Sequence, residues 1–218
     1  MQRILVRLSI IALTLQAYSA GHLRLAVAAG TTSAMSLGQL RIEQYGVYNA
    51  AKEISQKAHA PIGVDAVLPR KEPTIVFDFP GGTVADLLNM LVSQAPEYEW
   101  NEAEDGVIHV YRKNARVSLL DVVMHYPGAE NKTREEIWED LSKRPEILQW
   151  LKSNSCLRQE FFIGNEFKWN NDPISVAPGQ ITVRQLFDDV AVKSKENGWS
   201  VLESASPADS CHVSLMLW

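Results

Sequence analysis

The stretch FPGGTVADLLNMLV occupies residues 79–92 of this 218-residue chain, and APGQITVRQLFDDVA occupies residues 177–191. Each contains a Pro-Gly pair, then a threonine, then apolar residues spaced as on one face of a helix. Placing Thr83 over Thr182 aligns the two stretches without a gap. The alignment predicts that one structural unit occurs twice in the chain.

The match continues beyond the two quoted stretches. Leu87 falls on Leu186, and Trp100 falls on Trp199 at the same offset of 99 residues. Independent use of the same helix-start residues would produce a local resemblance of this kind. The ungapped match favours internal duplication over that alternative.

Each repeated residue has a local physical reason. A Pro-Gly pair ends a strand and turns the chain. A threonine followed three residues later by Asp86 or Gln185 is a helix N-cap with its capping box. Segments rich in β-formers, such as TIVFDF at 74–79, precede each helix, and two more follow it. Each copy therefore reads as strand, helix, strand, strand.

The rest of the chain completes two units. Residues 47–58 have the apolar spacing of an opening helix in the first unit. A fainter repeat around Thr133 starts the corresponding helix of the second unit, and Pro145 can begin its continuation. We predict an α+β protein of two small two-layer units, at 38–112 and 116–218, each ordered strand, helix, one or two strands, helix, strand, strand.

The first unit resembles a known family through three segments. They are APIGVDAVLP, IVFDFPGGTVADLLNMLV and the closing pair YEWNEAEDGVIHVY. Together they resemble the short N-terminal domain of secretins and TonB-dependent receptors, here free-standing and duplicated. The resemblance covers about 75 residues and implies a periplasmic docking and signalling module without catalytic residues. Of that family's functions, we expect only docking in this chain, because the resemblance is confined to the N-terminal domain.

The N-terminus has the layout of a secretory signal peptide. Arg3 and Arg7 precede an apolar run that is too short to cross a bilayer, and small residues follow. We expect a signal at 1–29 with cleavage between residues 19 and 29, and a periplasmic location. A buried or anchoring helix is the alternative. No later stretch of the sequence is apolar enough to span a membrane.

Charge and cysteine content indicate which partners and which cross-link this protein can have. Removal of residues 1–20 leaves 19 basic and 26 acidic residues, a net charge of −7, which argues against nucleic acid as a partner. In an oxidising compartment Cys156 and Cys211 are candidates for a disulfide. That bond would close a loop of about 55 residues and stabilise the fold by roughly 3–4 kcal/mol. Two separate buried thiols are the alternative.

Catalytic and metal-binding motifs are not found in the sequence. The histidines lack a second ligand at metal-site spacing, and the carboxylate clusters read as a turn and as solvated helix faces. We therefore expect a nonenzymatic protein without a cofactor. A hydrolase would need His109 or His125 beside an acid and a nucleophile in space.

Tryptophans supply the candidate contact surface. Trp138, Trp150 and Trp169 are interpreted either as core residues or as aromatics that contact a partner. We expect docking to an envelope protein, by strand addition or by an aromatic helix face. The alternative is a small-molecule or peptidoglycan-fragment binder that uses these tryptophans in a cleft between the units. The sequence leaves the oligomeric state open.

Overall fold

The computed structural model describes residues 31–68, 73–113, 118–158, 172–194, 198–204 and 211–218, and it has the predicted α+β fold. The elements of the first unit are β1 (Ser36–Leu37), β2 (Leu40–Tyr45), α1 (Gly46–Ala58), β3 (Ile62–Leu68), β4 (Thr74–Phe79), β5 (Gly82–Thr83), α2 (Val84–Gln94), β6 (Tyr98–Glu102) and β7 (Ile108–Arg112). The elements of the second unit are β8 (Val123–Tyr126), β9 (Ala129–Lys132), α3 (Arg134–Ser142), α4 (Pro145–Ser153), β10 (Cys156–Arg158), β11 (Ile174–Val176), β12 (Gly179–Thr182), α5 (Val183–Ser194), β13 (Gly198–Ser204) and β14 (Cys211–Leu217). Both units alternate strands and helices as predicted and end in two strands, but each has two strands before its first helix and three before its last, where one and then one or two were predicted.

The strand pairings of the first unit recur in the second. Antiparallel β1–β5 and β2–β4 correspond to antiparallel β8–β12 and β9–β11. Parallel β3–β7 corresponds to parallel β10–β14, and antiparallel β6–β7 corresponds to antiparallel β13–β14. The two units therefore share one topology among the described residues. Their origin by duplication stays a prediction.

One further pairing joins the units into a single sheet. Strand β3 runs parallel to β13 over seven residues, from Ile62 opposite Gly198 to Leu68 opposite Ser204. The result is a six-stranded sheet in the order β10-β14-β13-β3-β7-β6. Three strands come from each unit, so the units meet edge to edge rather than as separate domains.

Two hydrophobic cores lie on opposite faces of this sheet. Ile62 and Val64 point into the first core, with the helices of the first unit. Trp199, in register with Gly63, packs in the second core with α3, α4 and α5. Side chains of successive strand residues point to opposite faces, so Ile62 and the Gly63–Trp199 pair face opposite ways. The first core nevertheless includes Leu202 from the second unit.

Capping residues start the helices where the sequence predicts. The Thr83 hydroxyl accepts a bond from the Asp86 amide at 3.1 Å, and the Thr182 hydroxyl accepts one from the Gln185 amide at 3.1 Å. Thr133 caps α3 with the same capping box. These caps satisfy amides that lack a partner inside the helix. Leu87 and Leu186, one turn further on, are both fully buried.

Two predicted segments differ from the structure or cannot be compared with it. The apolar segment VSLLDVVMHY at 117–126 predicts a strand, or alternatively a helix, before the fainter repeat. The structure has a short 3₁₀ turn at Leu119–Asp121, capped by the Ser118 hydroxyl, before β8. The segment EFFIGNEFKW at 160–169 predicts a hairpin around Gly164-Asn165, and both it and the predicted signal at 1–29 lie outside the described residues. Within the described residues, no helix has the length and apolar character needed to cross a bilayer.

Candidate functional site

Gly63 and Trp199 make a close contact between the units. A Cβ added to Gly63 would stand 2.2 Å from Cζ2 of Trp199, so the indole lies directly over the Gly63 backbone. The ring projects from β13 across the neighbouring strand β3 and is fully buried. Only glycine leaves room for this arrangement, which explains why a residue without a side chain is the second residue of the buried strand β3.

A buried polar cluster surrounds the Trp199 ring. The indole nitrogen donates to Asp188 Oδ1 at 2.9 Å, and His109 Nε2 lies 3.0 Å from the same oxygen. His109 comes from β7 of the first unit, and Asp188 comes from α5 of the second. Both side chains are buried, at 6% and 4% exposure. The cluster therefore connects the two units, and the described residues bury it.

One turn earlier on α5, Arg184 makes a second polar connection. Its guanidinium lies 3.9 Å from Asp65 on β3 and 3.1 Å from Asp121. Burial raises the pKa of Asp65 to about 6, although the Ser118 hydroxyl and Arg184 both act to lower it. Arg184 and Asp188 are four residues apart, so one face of α5 holds both contacts with the first unit.

The first unit contains the same tryptophan arrangement with its neighbouring strand missing. Trp100 donates from its indole nitrogen to Asn89 Oδ1 at 3.0 Å, and Asn89 lies 99 residues before Asp188. Trp100 is half-buried and Asn89 is exposed. Trp100 and Trp199 therefore share one hydrogen-bonding arrangement, but among the described residues only Trp199 has a strand on both sides.

The described sheet ends at β6, whose ladder partner is β7. The Lys113 amide donates to the Glu97 carbonyl, and the Ala103 amide donates to the Val107 carbonyl. In an antiparallel ladder these bonds use every second residue, so the backbone of Trp100 points away from β7. In β13, Gly198 bonds to Trp218 of β14, and every second residue follows this pattern. The amide and carbonyl of Trp199 therefore face β3.

Two of the three candidate contact tryptophans lie inside the second core. Trp138 is 7% exposed and packs its ring against Phe187, with centroids 4.3 Å apart, and Trp150 is 8% exposed. Rings buried to this extent offer little surface to a partner, so the structure favours the core interpretation for both. Trp169 lies outside the described residues.

Two cavities lie within the described residues. One, in the second core, is lined by Leu119, Leu141 and Leu151 and has a volume of about 10 Å³, close to the minimum for one water molecule. A more open groove of about 380 Å³ lies where the paired strands β2 and β4 end, at Leu40 and Phe79. The cleft between the units that a small-molecule binder would use stays a prediction.

The two cysteines lie at the far end of the sheet. Cys156 on β10 and Cys211 on β14 are opposite each other, and their sulfur atoms are 2.15 Å apart, at disulfide-bonding distance. The predicted pairing is therefore confirmed. It ties the strand that follows α4 to the last strand of the second unit.

The histidines and acidic side chains lie apart from any metal-binding arrangement among the residues that the structure describes. Among the described residues, no group of three or more His, Cys, Asp or Glu side chains is placed to hold a metal ion. His125 lies exposed on β8, opposite Gln180. His109 has the acid that a hydrolase would need, but the pair is buried beneath an indole.

Sequence reasoning missed the residues that define the junction. Gly63 and Asn89 received no role, although the 99-residue offset places Asn89 over Asp188. Asp188, with Asp189, was predicted to lie on a solvated helix face; that prediction is wrong for Asp188, which is 4% exposed because its carboxylate bonds His109 and Trp199 between the units. That offset was the signal for a shared hydrogen bond to the tryptophan. Gly63 had no such signal, because its role depends on a strand from the other unit.

Comparison of this chain with protein-family models, with curated proteins and with solved structures finds no match. The resemblance to the short N-terminal domain of secretins and TonB-dependent receptors stays a prediction.

Proposed function

We propose that this protein is a noncatalytic docking module of the cell envelope that binds an extended segment of a partner protein along β6. The observation that carries the proposal is the edge of the six-stranded sheet at β6, beside which the described part of the chain places no further strand. A sheet edge presents unpaired amides and carbonyls, and adding a strand satisfies them. The half-buried Trp100 supplies apolar contact area at the same place.

The buried junction supports this role by making the edge rigid. Strands β3 and β7 hold β6 in a sheet that both units stabilise through His109 and Asp188. A preorganised edge loses little conformational entropy when a segment binds to it. The acidic side chains Glu97 and Glu99 at this edge favour a partner segment that carries basic residues.

Photo-crosslinking in the cells that make the protein tests the proposal. A photoreactive amino acid is placed at Asn101, which is exposed on β6, and at Val192, which is 45% exposed on α5, as the matched control. We expect one envelope protein to be captured from position 101 and not from position 192. Equal capture from both positions, or none from position 101, would contradict docking at β6.

A further inference from the structure

The geometry points to the kind of segment that β6 accepts: an extended strand parallel to β6, with a glycine in register with Trp100 and a basic residue just before it. This inference rests on the proposed function and identifies the chemistry of its partner. The β3–β13 pairing provides an example, within this chain, of the contact that we expect at β6.

Strand β13 is the counterpart of β6. Each follows the last helix of its unit, each pairs antiparallel with the last strand, and each carries the repeated tryptophan. The edge of β13 is occupied by β3, which runs parallel to it. At the corresponding edge of β6, the described residues place no strand. The occupant of the first edge therefore indicates what fits the second.

The glycine requirement comes from the tryptophan ring. Trp199 lies over Gly63, the residue in register with it, and three of its ring atoms would be within 2.7 Å of any Cβ there. The indole of Trp100 is held by Asn89 as that of Trp199 is held by Asp188. With the same anchoring, the ring of Trp100 extends over the position of an incoming strand. A side chain in register with Trp100 would collide with it.

The backbone of Trp100 is also directed correctly. The bonds that pair β6 with β7 leave the amide and carbonyl of Trp100 facing the open edge, as those of Trp199 face β3. A segment paired there would gain main-chain hydrogen bonds, and its glycine would lie under the indole. Affinity would come from the backbone, and selection would come from the ring.

The basic residue follows from a difference between the two copies. Gly198, which precedes Trp199, is replaced by Glu99 before Trp100. Glu99 is half-buried on the sheet face opposite Trp100, beside Tyr111. The residue that precedes the glycine of an added strand would stand next to the Glu99 carboxylate. A lysine or arginine there pairs across the strands, whereas an acidic residue is repelled.

A synthetic peptide based on β3 tests the inference with the full-length protein. The probe has the sequence of residues 60–68 with Ile62→Lys, to pair with Glu99, and Asp65→Thr, to avoid a like charge beside Glu102. Matched control peptides carry Gly63→Phe in addition, or Ile62→Glu in place of lysine. Binding is measured by fluorescence anisotropy of a labelled peptide. We expect each control to bind at least about tenfold more weakly than the probe.

Charge exchange provides the reciprocal test. Glu99→Lys in the protein should weaken binding of the lysine peptide and restore binding of the glutamate peptide. Glu104→Lys, at an exposed position in the β6–β7 hairpin, is the control variant and should leave the preference unchanged. Circular dichroism confirms that each variant is folded before binding is compared.

The outcomes separate this inference from the docking proposal. Selective binding of the lysine–glycine peptide, with exchange of preference in Glu99→Lys, supports the inference. Equal binding of the Gly63→Phe peptide overturns it and leaves docking at β6 intact. Failure of all peptides also overturns it, because the probe contains every feature named. Docking then stands or falls on whether position 101 captures an envelope protein in cells.

Discussion

Asn89 and Asp188 occupy equivalent positions in the two units, and each accepts a hydrogen bond from the indole of a tryptophan eleven residues later. The carboxylate occurs where the indole is buried and His109 is close. The carboxamide occurs where the edge is open. The same hydrogen bond therefore occurs twice in one chain: at Trp199, where β3 lies alongside, and at Trp100, where the described residues place no strand at the corresponding edge.

Substitution of Asp188 tests the buried hydrogen bonds to Trp199 and His109. Asp188→Asn can keep the bond from Trp199, as Asn89 does for Trp100, but it loses the charged acceptor for His109. We expect a loss of about 1 kcal/mol in unfolding free energy, and about 3 kcal/mol for Asp188→Ala, which leaves two buried donors without a partner. Urea denaturation measures both. Asn89→Ala is the control and should cost less than about 1 kcal/mol, because water can reach Trp100. Equal losses for Asp188→Asn and Asp188→Ala would contradict this account.

Gly63→Ala tests the contact between the units. The new methyl group would stand 2.2 Å from a buried ring atom of Trp199, so the ring or the strand must move. We expect a loss of about 3 kcal/mol in unfolding free energy. Gly179→Ala on β12 is the matched control, since nothing lies within 4 Å of its added Cβ. Equal stability of the two variants would show that the indole does not lie over Gly63.

Asp65 predicts a pH dependence of stability. Burial raises its pKa from an ordinary 3.8 to about 6. The folded state then binds the proton more tightly than the unfolded state, so the stabilisation is full below about pH 4 and is lost as pH rises through about 6. The shift corresponds to at most about 3 kcal/mol.

The measurement compares the wild type with Asp65→Asn by denaturation from pH 4 to pH 7.5. Asparagine does not ionise, so the variant should gain stability relative to the wild type as pH rises. Arg184, Glu203 and Asp121 influence this carboxyl and remain in both proteins. A constant difference between the proteins across this range would contradict the raised pKa.

The disulfide predicts that reduction lowers the unfolding free energy of the protein. The bond joins residues 55 apart in sequence, so cutting it should lower the unfolding free energy by roughly 3–4 kcal/mol. Thermal denaturation with and without reductant measures the effect, and the Cys156→Ala, Cys211→Ala double variant should match the reduced protein and not respond to reductant. Mass spectrometry without reductant should find no free thiol.

Local features of this fold could be predicted from the sequence because they depend on neighbours along the chain. Thr83 and Thr182 cap helices where expected, since capping involves residues three apart. The element order of both units follows from the same kind of pattern.

The pairing that joins the two units into one sheet could not be predicted, because it depends on contacts between residues that are distant in sequence. Pairing of β3 with β13 requires Gly63 to meet Trp199, which are far apart in sequence. Trp138 and Trp150 could have been core or surface residues by pattern alone. Their burial depends on the packing of α3 and α4 against the sheet. The candidate docking edge likewise depends on tertiary pairing, because β13 lies between β14 and β3, whereas the described residues pair β6 with β7 alone.

Amide hydrogen exchange followed by NMR tests the central claim most directly, by comparing Trp100 with Trp199 in the free protein and with the lysine–glycine peptide. The Trp199 amide faces β3 and should exchange slowly throughout, whereas the Trp100 amide faces the open edge and should exchange rapidly until the peptide is added. Slow exchange at Trp100 in the free protein would mean that the edge is already filled. Unchanged rapid exchange in the presence of bound peptide would mean that binding occurs elsewhere.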